Sequence, residues 1–380
     1  MVELGSRRLF PDLRVVSYLS HAGVSPLSVP VVEAVSAHLR EFAGEGVGAV
    51  PGMLAMRTRL HSKLGQLLGC AAGDLALTTG TSWGILAVAQ NFPWRRGDRM
   101  ACVAGEFPTN VTPWQAAAVQ HELELVFLRN DLADLEEQLR RGLRLLALSA
   151  VSFQTGLRQP WEQVVDLAHR YECQVLVDVI QAAGVVPFEV GELDYVAGGA
   201  HKWLMGVEGC GYLYVHPRRQ ADFHRYWAGW LSHQQAVDFL FQGPGHLRYD
   251  RPLRSDPLAL EIGSSSALSQ AALEASLNLL LELGVDQIFG HVTRFLDALE
   301  AGLEFLGWPS LRKPGQASGI LSLQPPPQTD LGGWERALRQ RGVQVSTPDG
   351  LVRMAPHWPN SLEEVPLVVE AFREVQRSFS

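Results

Sequence analysis

Short, continuously apolar runs alternate with longer amphipathic ones through the middle of this chain. LALTT ends at Gly80 and gives way to SWGILAVAQNF; RMACVA ends at Gly105 and gives way to PWQAAAVQHEL; LRLLALSAVSF is followed by PWEQVVDLAHRY and then QVLVDV. A brief apolar run closed by turn formers reads as a strand buried on both faces, and the run after it, with apolar positions three and four apart, reads as a helix. Repeated, that unit predicts an α/β fold with a mostly parallel sheet covered by helices on both faces. LDYVAGG and CGYLYVH read as further strands. Upstream, VVEAVSAHLREF follows Pro26 and Pro30 and predicts an early helix, whereas GEGVGAVPG at 44–52 predicts a glycine-rich loop.

From about position 216 the pattern changes. An aromatic-rich segment and the arginine-containing HLRYDRPLRSD precede two long helical stretches, SALSQAALEASLNLLLELG and DQIFGHVTRFLDALEAGLEFLG. The strand-like SGILSLQPP, helical GGWERALRQRG, short strands VQVS and LVRMA, and a closing helix from Leu362 complete the chain, with QPPPQTD as a surface connection. The expected organisation is a large α/β domain over 15–260 and a smaller α+β domain over 265–380, joined by residues 1–14.

Composition narrows the setting. With 32 basic and 40 acidic side chains the formal charge is -8, and no block of like charge suggests a nucleic-acid or polybasic membrane surface. Four separated cysteines form no CxxC pair, which argues against a disulfide framework or a thiolate zinc site. The twelve histidines lack metal-ligand spacing, so no metal is expected. No stretch has the length of a membrane span or the shape of a signal peptide, and a cytoplasmic protein is expected.

The most informative stretch is QVLVDVIQAAG followed by LDYVAGGAHKWLMGVEGCG. Asp178 falls at the carboxyl end of a buried strand and Lys202 just beyond another, where open α/β sheets collect ligands. A lysine of lowered pKa can form a Schiff base, and an aspartate can pair with a protonated pyridine nitrogen. Pyridoxal phosphate requires both. The plainer reading, a loop lysine reaching water and an aspartate capping a turn, stays open on spacing alone.

LVDVIQAAG together with GGAHKWLMG resembles the lysine signature region of class V aminotransferase-fold enzymes, the pyridoxal phosphate family of cysteine desulfurases, kynureninase and isopenicillin N epimerase. The similarity runs from YLSHAGVSPLS to MAPHWPNSLEEV. It implies fold type I, with a large mostly parallel sheet domain and a smaller α+β carboxy-terminal domain, in a homodimer. It also implies Lys202 as the Schiff-base lysine, Asp178 as partner of the pyridine nitrogen, Gln181 beside the phenolic oxygen and His201 in the phosphate cup. Gly199 and Ala200 stand where a phosphate-binding hydroxyl is common, so the phosphate leans on other donors. TTGTSWGI offers them in Thr81 and Ser82, at a helix start that suits an anion or, more plainly, an ordinary cap.

The same resemblance assigns Phe107 of EFPTNVTPW to stack on the ring, Asn110 and Gln154 to lie near cofactor or substrate, and Ser264 of EIGSSSALSQ to reach the phosphate of the neighbouring subunit. Arg353 of LVRMAPHWPN resembles the arginine that grips a substrate carboxylate, and His21 lies in a segment that approaches substrate in relatives. His357 is expected to support the loop behind Arg353. Cysteine desulfurases carry a mobile sulfur-accepting cysteine shortly before that arginine; here GVQVSTPDGLVR has none.

The expected enzyme forms an external aldimine with an L-amino acid and removes its Cα proton, with β-elimination of the carbon-sulfur lyase kind preferred. Transamination to a keto acid and epimerisation are the alternatives, as is a pyridoxal phosphate protein with a mainly structural role. A rival of another class is a serine hydrolase, because GTSWG fits the Gly-x-Ser-x-Gly elbow with Ser82 as nucleophile and Asp256 or Asp349 with His357 as partners.

Overall fold

The structure is a computed structural model that describes residues 2–129 and 131–379. Seven strands form its main sheet: β1 (Leu75–Thr78), β2 (Arg99–Val103), β3 (Glu124–Leu128), β4 (Leu143–Ser149), β5 (Gln174–Asp178), β6 (Tyr195–Gly199) and β7 (Gly211–Val215). Their spatial order is β1-β7-β6-β5-β4-β2-β3. All pairs are parallel except those of β7, which runs antiparallel to both β1 and β6. The central strands β5, β6 and β7 are buried at every position, which is why each reads as a continuous apolar run.

Alternate residues feed two separate cores. Val175, Val177, Val196 and Tyr212 pack with Leu60, Leu64, Leu68 and Trp161 on one face. Leu176, Ala197 and Leu213 pack with Ile85, Val88 and Trp114 on the other. The period of two along each strand therefore sorts side chains between two helix layers.

Three local differences from the sequence reading have clear causes. Residues 44–52 are not a loop: Gly44 and Glu45 end the helix Val29–Glu45, Gly46–Ala49 makes one tight turn, and a second helix runs Val50–Leu68. Pro51 sits in the first turn of that second helix, where a missing N–H costs nothing. The edge strand β3 was not distinguished because Glu124 is exposed and Phe127 is half exposed, so its apolar pattern is diluted. The helix Leu132–Arg140 was likewise not expected; its buried face is only Leu135, Gln138 and Leu139.

Near the carboxyl terminus, Leu321–Leu323 pairs antiparallel with Val352–Met354, setting Arg353 opposite Ser322. Ser17–Tyr18 pairs parallel with Val343–Gln344, and Ser20 bridges to Ala355. The amino-terminal segment is thus part of the structure that carries Arg353. The segment after β4 meets the same region, with Ser322 Oγ donating to Gln154 O at 2.5 Å and Ser318 Oγ to Gly156 O at 2.6 Å. No helix among the described residues is long and apolar enough to cross a membrane.

Close approach in the sheet fixes one glycine. A Cβ on Gly198 would run into the hydroxyl of Tyr212, its directly opposed register partner on β7. Gly198→Ala is expected to lower stability by about 1–3 kcal/mol through overpacking. Urea denaturation checks this, and a midpoint equal to that of the parent would show that the Tyr212 ring can give way.

Candidate active site

Chain order places the start of the site. After β2 the chain adds β3 on one side, then returns to place β4 on the other, so the segments after β2 and β4 flank a topological switch point. Glu106 and Phe107 follow β2, Ser149 ends β4, Asp178 ends β5, and Lys202 follows β6. Ser149 and Asp178 are register partners on adjacent parallel strands.

Asp178 is 1% exposed, and its Oδ1 accepts from Ile180 N at 2.8 Å. Burial pushes its carboxyl well above the ordinary range, with the Glu106 carboxylate adding to the effect and Lys202 opposing it. Burial also holds the Lys202 ammonium below the usual lysine value, against the attraction of Asp178 and with the repulsion of Arg353. Lys202 Nζ lies 5.5 Å from the centre of the Phe107 ring, whose edge contact with Phe153 has centroids 5.2 Å apart. Phe107 is 45% exposed, so one part of the ring is open to a ligand.

Arg353, from the short strand Val352–Met354, completes this group and repels Lys202. It is 6% exposed, yet among the described residues no carboxylate forms an ion pair with it. Its guanidinium is held by neutral acceptors, Nη1 by Phe153 O at 2.6 Å and Nε by Ser346 Oγ at 3.1 Å. Burial lowers its pKa to about 10. A buried guanidinium held only by neutral groups is costly unless an anion arrives to pair with it.

The helix Thr81–Asn91 begins without a side-chain cap, because its N-cap is Gly80. Neither Thr81 nor Ser82 acts as the plain cap: Thr81 Oγ1 is buried with no hydrogen-bond partner, and Ser82 Oγ bonds to Thr109 Oγ1. A Cβ on Gly199 would lie 2.9 Å from Thr81 Oγ1, so the departure from a hydroxyl at 199 leaves room beside Thr81. An orphaned hydroxyl at an uncapped helix start fits a phosphate. His201 is part-buried, and burial with the neighbouring Lys202 lowers its pKa. Taken with Lys202, Asp178 and the half-open Phe107 ring, these residues fit pyridoxal phosphate.

Other expected residues have more committed partners. Gln181 donates through Nε2 to Ala22 O at 3.0 Å and accepts from Trp203 Nε1 at 2.8 Å. Gln154 Nε2 donates to Asp349 Oδ2 at 2.5 Å. Asn110 is fully buried and accepts from Trp114 Nε1 at 3.2 Å. His21 is 1% exposed, enclosed by Tyr18, Trp203 and His357, with Nδ1 against Ser25 Oγ at 2.7 Å. Ser264 is exposed, and the cap of the following helix is Ser266.

The hydrolase reading does not survive. Ser82 pairs with Thr109; His357 Nε2 bonds to Trp203 O at 2.8 Å while its Nδ1 accepts from Trp358 N at 2.7 Å. Asp256 is paired with Arg254 and Asp349 with Gln154, so no acid-histidine-serine relay forms.

Glu106, Ser149, Ser25 and Ser346 were missed as members of the site. Ser149 donates to Glu106 through its N–H at 2.6 Å and its hydroxyl at 2.5 Å, which puts a second carboxylate beside the Asp178 strand end. An acid next to the stacking residue was the available signal for Glu106. The three serines gave none, since serine after a strand is generic.

Comparison with known proteins agrees with this geometry. The sequence profile of the family described as aminotransferase class-V matches residues 17–353. The chain is similar to a probable cysteine desulfurase of Pyrococcus abyssi (strain GE5 / Orsay), 23% identical with 98% of this chain and 97% of the relative covered. It is also similar to an uncharacterized aminotransferase of Bacillus subtilis (strain 168), 22% identical with 94% of each covered. Among solved structures, the apo cysteine desulfurase of Thermococcus onnurineus NA1 superposes with a TM-score of 0.85 at 22% identity, covering 99% of this chain and 100% of that one. The cystine C-S lyase C-DES, in complex with its product cysteine persulfide, superposes with a TM-score of 0.86 at 22% identity, covering 96% and 98%. A profile match over most of the chain, on a fold-type-I framework whose strand ends present Asp178 and Lys202, places this protein in the class-V aminotransferase family as a pyridoxal-phosphate-dependent enzyme.

Proposed function

We propose that this enzyme cleaves the Cβ–S bond of cysteine or a related β-thio L-amino acid by elimination, without a persulfide on the protein. The observation that carries the reading is the buried Arg353 guanidinium, held only by neutral partners and beside Lys202. A planar guanidinium clamps an α-carboxylate through two parallel hydrogen bonds.

Pyridoxal phosphate supplies an aldehyde that amines condense with and a ring that draws electrons from the bonds at the substrate Cα. Asp178, buried at the end of its strand, would sit as the carboxylate partner of the ring nitrogen and favour a proton there. Thr81, Ser82, His201 and the helix start hold the phosphate, and Phe107 covers the ring, with Gln181 and Gln154 as polar neighbours. Asn110, fully buried, donates its N–H to Phe107 O at 2.8 Å and accepts from Trp114 Nε1, which steadies the Phe107 segment. The depressed basicity of Lys202 leaves more of its amine neutral near neutral pH, ready to take the Cα proton.

Loss of sulfur follows without a carrier. No cysteine lies in 343–354, and Cys102 and Cys210 are buried with thiols pushed up to about 12. In the proposed reaction the Cβ–S electron pair leaves with sulfur, and water then releases the amine: L-cysteine gives pyruvate, ammonia and sulfide in equal amounts. The Pyrococcus relative and the C-S lyase support this substrate class. The Bacillus relative favours a second reading, transamination, which yields a keto acid from the donor only when a second keto acid accepts the amine.

Three outcomes are expected. Holoenzyme given L-cysteine or L-cystine alone should release ammonia and pyruvate in parallel, read by coupled dehydrogenase assays; amino-group transfer to an added keto acid without ammonia would replace elimination by the second reading. Arg353→Gln should raise KM for the amino acid by about tenfold to a hundredfold, the worth of hydrogen bonds to a charged group, with cofactor content unchanged. Capture of pyridoxal phosphate by cofactor-free protein, fixed with borohydride and mapped by mass spectrometry, should fall on Lys202 and vanish in Lys202→Ala. Its rate should rise with pH about a midpoint below the ordinary lysine value of about 10.4, because burial favours the neutral amine; an ordinary midpoint would remove the argument for Lys202 as a poised base.

A further inference from the structure

Three successive carbonyls of the lysine loop are held by segments far from it in sequence. Ser25 N donates to His201 O at 2.9 Å, Ser25 Oγ donates to Lys202 O at 2.6 Å, and His357 Nε2 bonds to Trp203 O at 2.8 Å. Met205 N adds a second donor to Lys202 O at 3.0 Å, with Met205 itself at φ 52°. A non-glycine residue in the left-handed region persists only where its surroundings hold it there.

Proton bookkeeping fixes the tautomers. A carbonyl only accepts, so the single hydroxyl proton of Ser25 goes to Lys202 O, and Ser25 Oγ must then accept from His21 Nδ1. His21 is therefore the Nδ1–H tautomer, and its Nε2 is buried with no partner. His357 is the opposite one: Nδ1 accepts from Trp358 N, so Nε2–H donates to Trp203 O. Burial holds both rings neutral, which keeps this donor order in place.

The same amino-terminal segment is bonded to the neighbourhood of Arg353. Ala355 N donates to Leu19 O at 2.8 Å, and His21 N donates to Ala355 O at 3.1 Å, two residues beyond Arg353. On the other side Ala22 O accepts from Gln181, in the turn that follows Asp178.

We propose that residues 19–25 form a strap that holds the Lys202 loop in register with Arg353, and that Ser25, aimed by His21, is the positioning residue of that strap. His21 acts here through Ser25 and not by touching substrate. This rests on Lys202 and Arg353 as the catalytic and carboxylate-binding residues. The strap matters because a nucleophile or base misplaced by about 1 Å can lose about a hundredfold in rate.

The test compares Ser25→Ala, Ser25→Thr and His21→Phe with the parent. In cofactor-free protein, hydrogen exchange of amides 200–206 should speed up by about tenfold in Ser25→Ala, the equivalent of one hydrogen bond, and return toward the parent in Ser25→Thr. In holoenzyme, kcat should drop by about ten- to a hundredfold in Ser25→Ala and His21→Phe with little change in KM, and Ser25→Thr should recover it. Parent-like exchange in Ser25→Ala overturns the strap. Faster exchange with parent-like kcat overturns its role in positioning Lys202. Absence of Schiff-base labelling at Lys202 in the parent overturns the reading of the site itself, and this failure is separate because the exchange measurement needs no cofactor.

Discussion

A buried ionisable group with no ion pair in contact must be held by something else, and this fold holds two at the candidate site. Arg353 rests on a carbonyl and a hydroxyl, and Asp178 accepts a backbone N–H. Lys202 feels both, attracted by Asp178 and repelled by Arg353, with its basicity lowered by burial. Each is tolerated because it keeps a hydrogen-bond partner in its buried setting, Phe153 O and Ser346 Oγ for Arg353 and Ile180 N for Asp178. The unfavourable electrostatics is the useful part: a carboxylate, a phosphate and a protonated ring would each relieve some of it. Perturbed groups gathered at a switch point are what a binding site looks like before its ligand is drawn in.

The framework around these charges divides its work. The two-sided core makes the central strands rigid, so Asp178 and Ser149 stay adjacent across β4 and β5. Arg353 comes from a short strand that the amino-terminal segment helps to hold, through Ser20 and Ala355. The segment that carries Ser318 to Leu323 meets the rest of the molecule through hydrogen bonds, Ser322 to Gln154 and Ser318 to Gly156, and through an apolar cluster that joins Ile320 and Leu321 with Val185 and Trp203.

How much of this could be read from residues alone follows from how each residue acts. Lys202 and Asp178 stand out because a charged type beside a continuous apolar run conflicts with its surroundings, and conflict is visible in a sequence. Arg353 in LVRMA was legible only through the family resemblance, since an arginine in a short strand is by itself usually a surface charge. Ser25, Ser149 and Ser346 act through hydrogen bonds to a backbone carbonyl, a carboxylate and a guanidinium, and nothing in a serine announces its partner, whether 177 residues away as for Ser25 or 7 as for Ser346. The helix Val50–Leu68 was hidden by its own start, since the glycines and proline of 44–52 look like a loop until the preceding helix end is placed. Edge strand β3 was hidden because one face of it meets solvent.

The loop between the strands at 343–344 and 352–354 is tied down at both ends of its turn. Ser346 and Arg353 exchange both backbone hydrogen bonds, at 2.8 and 3.1 Å, and the Ser346 hydroxyl also takes Arg353 Nε. Asp349 adopts φ 49° and its carboxylate accepts from Gln154. A lineage acquiring a sulfur carrier in this segment has more to change than one codon. A cysteine at 346 would remove the acceptor that steadies the arginine, and a cysteine at 349 would release Gln154 while inheriting a strained backbone. A fixed loop is in this sense in keeping with the proposed elimination, and a sulfur carrier here would require freeing the loop before arming it.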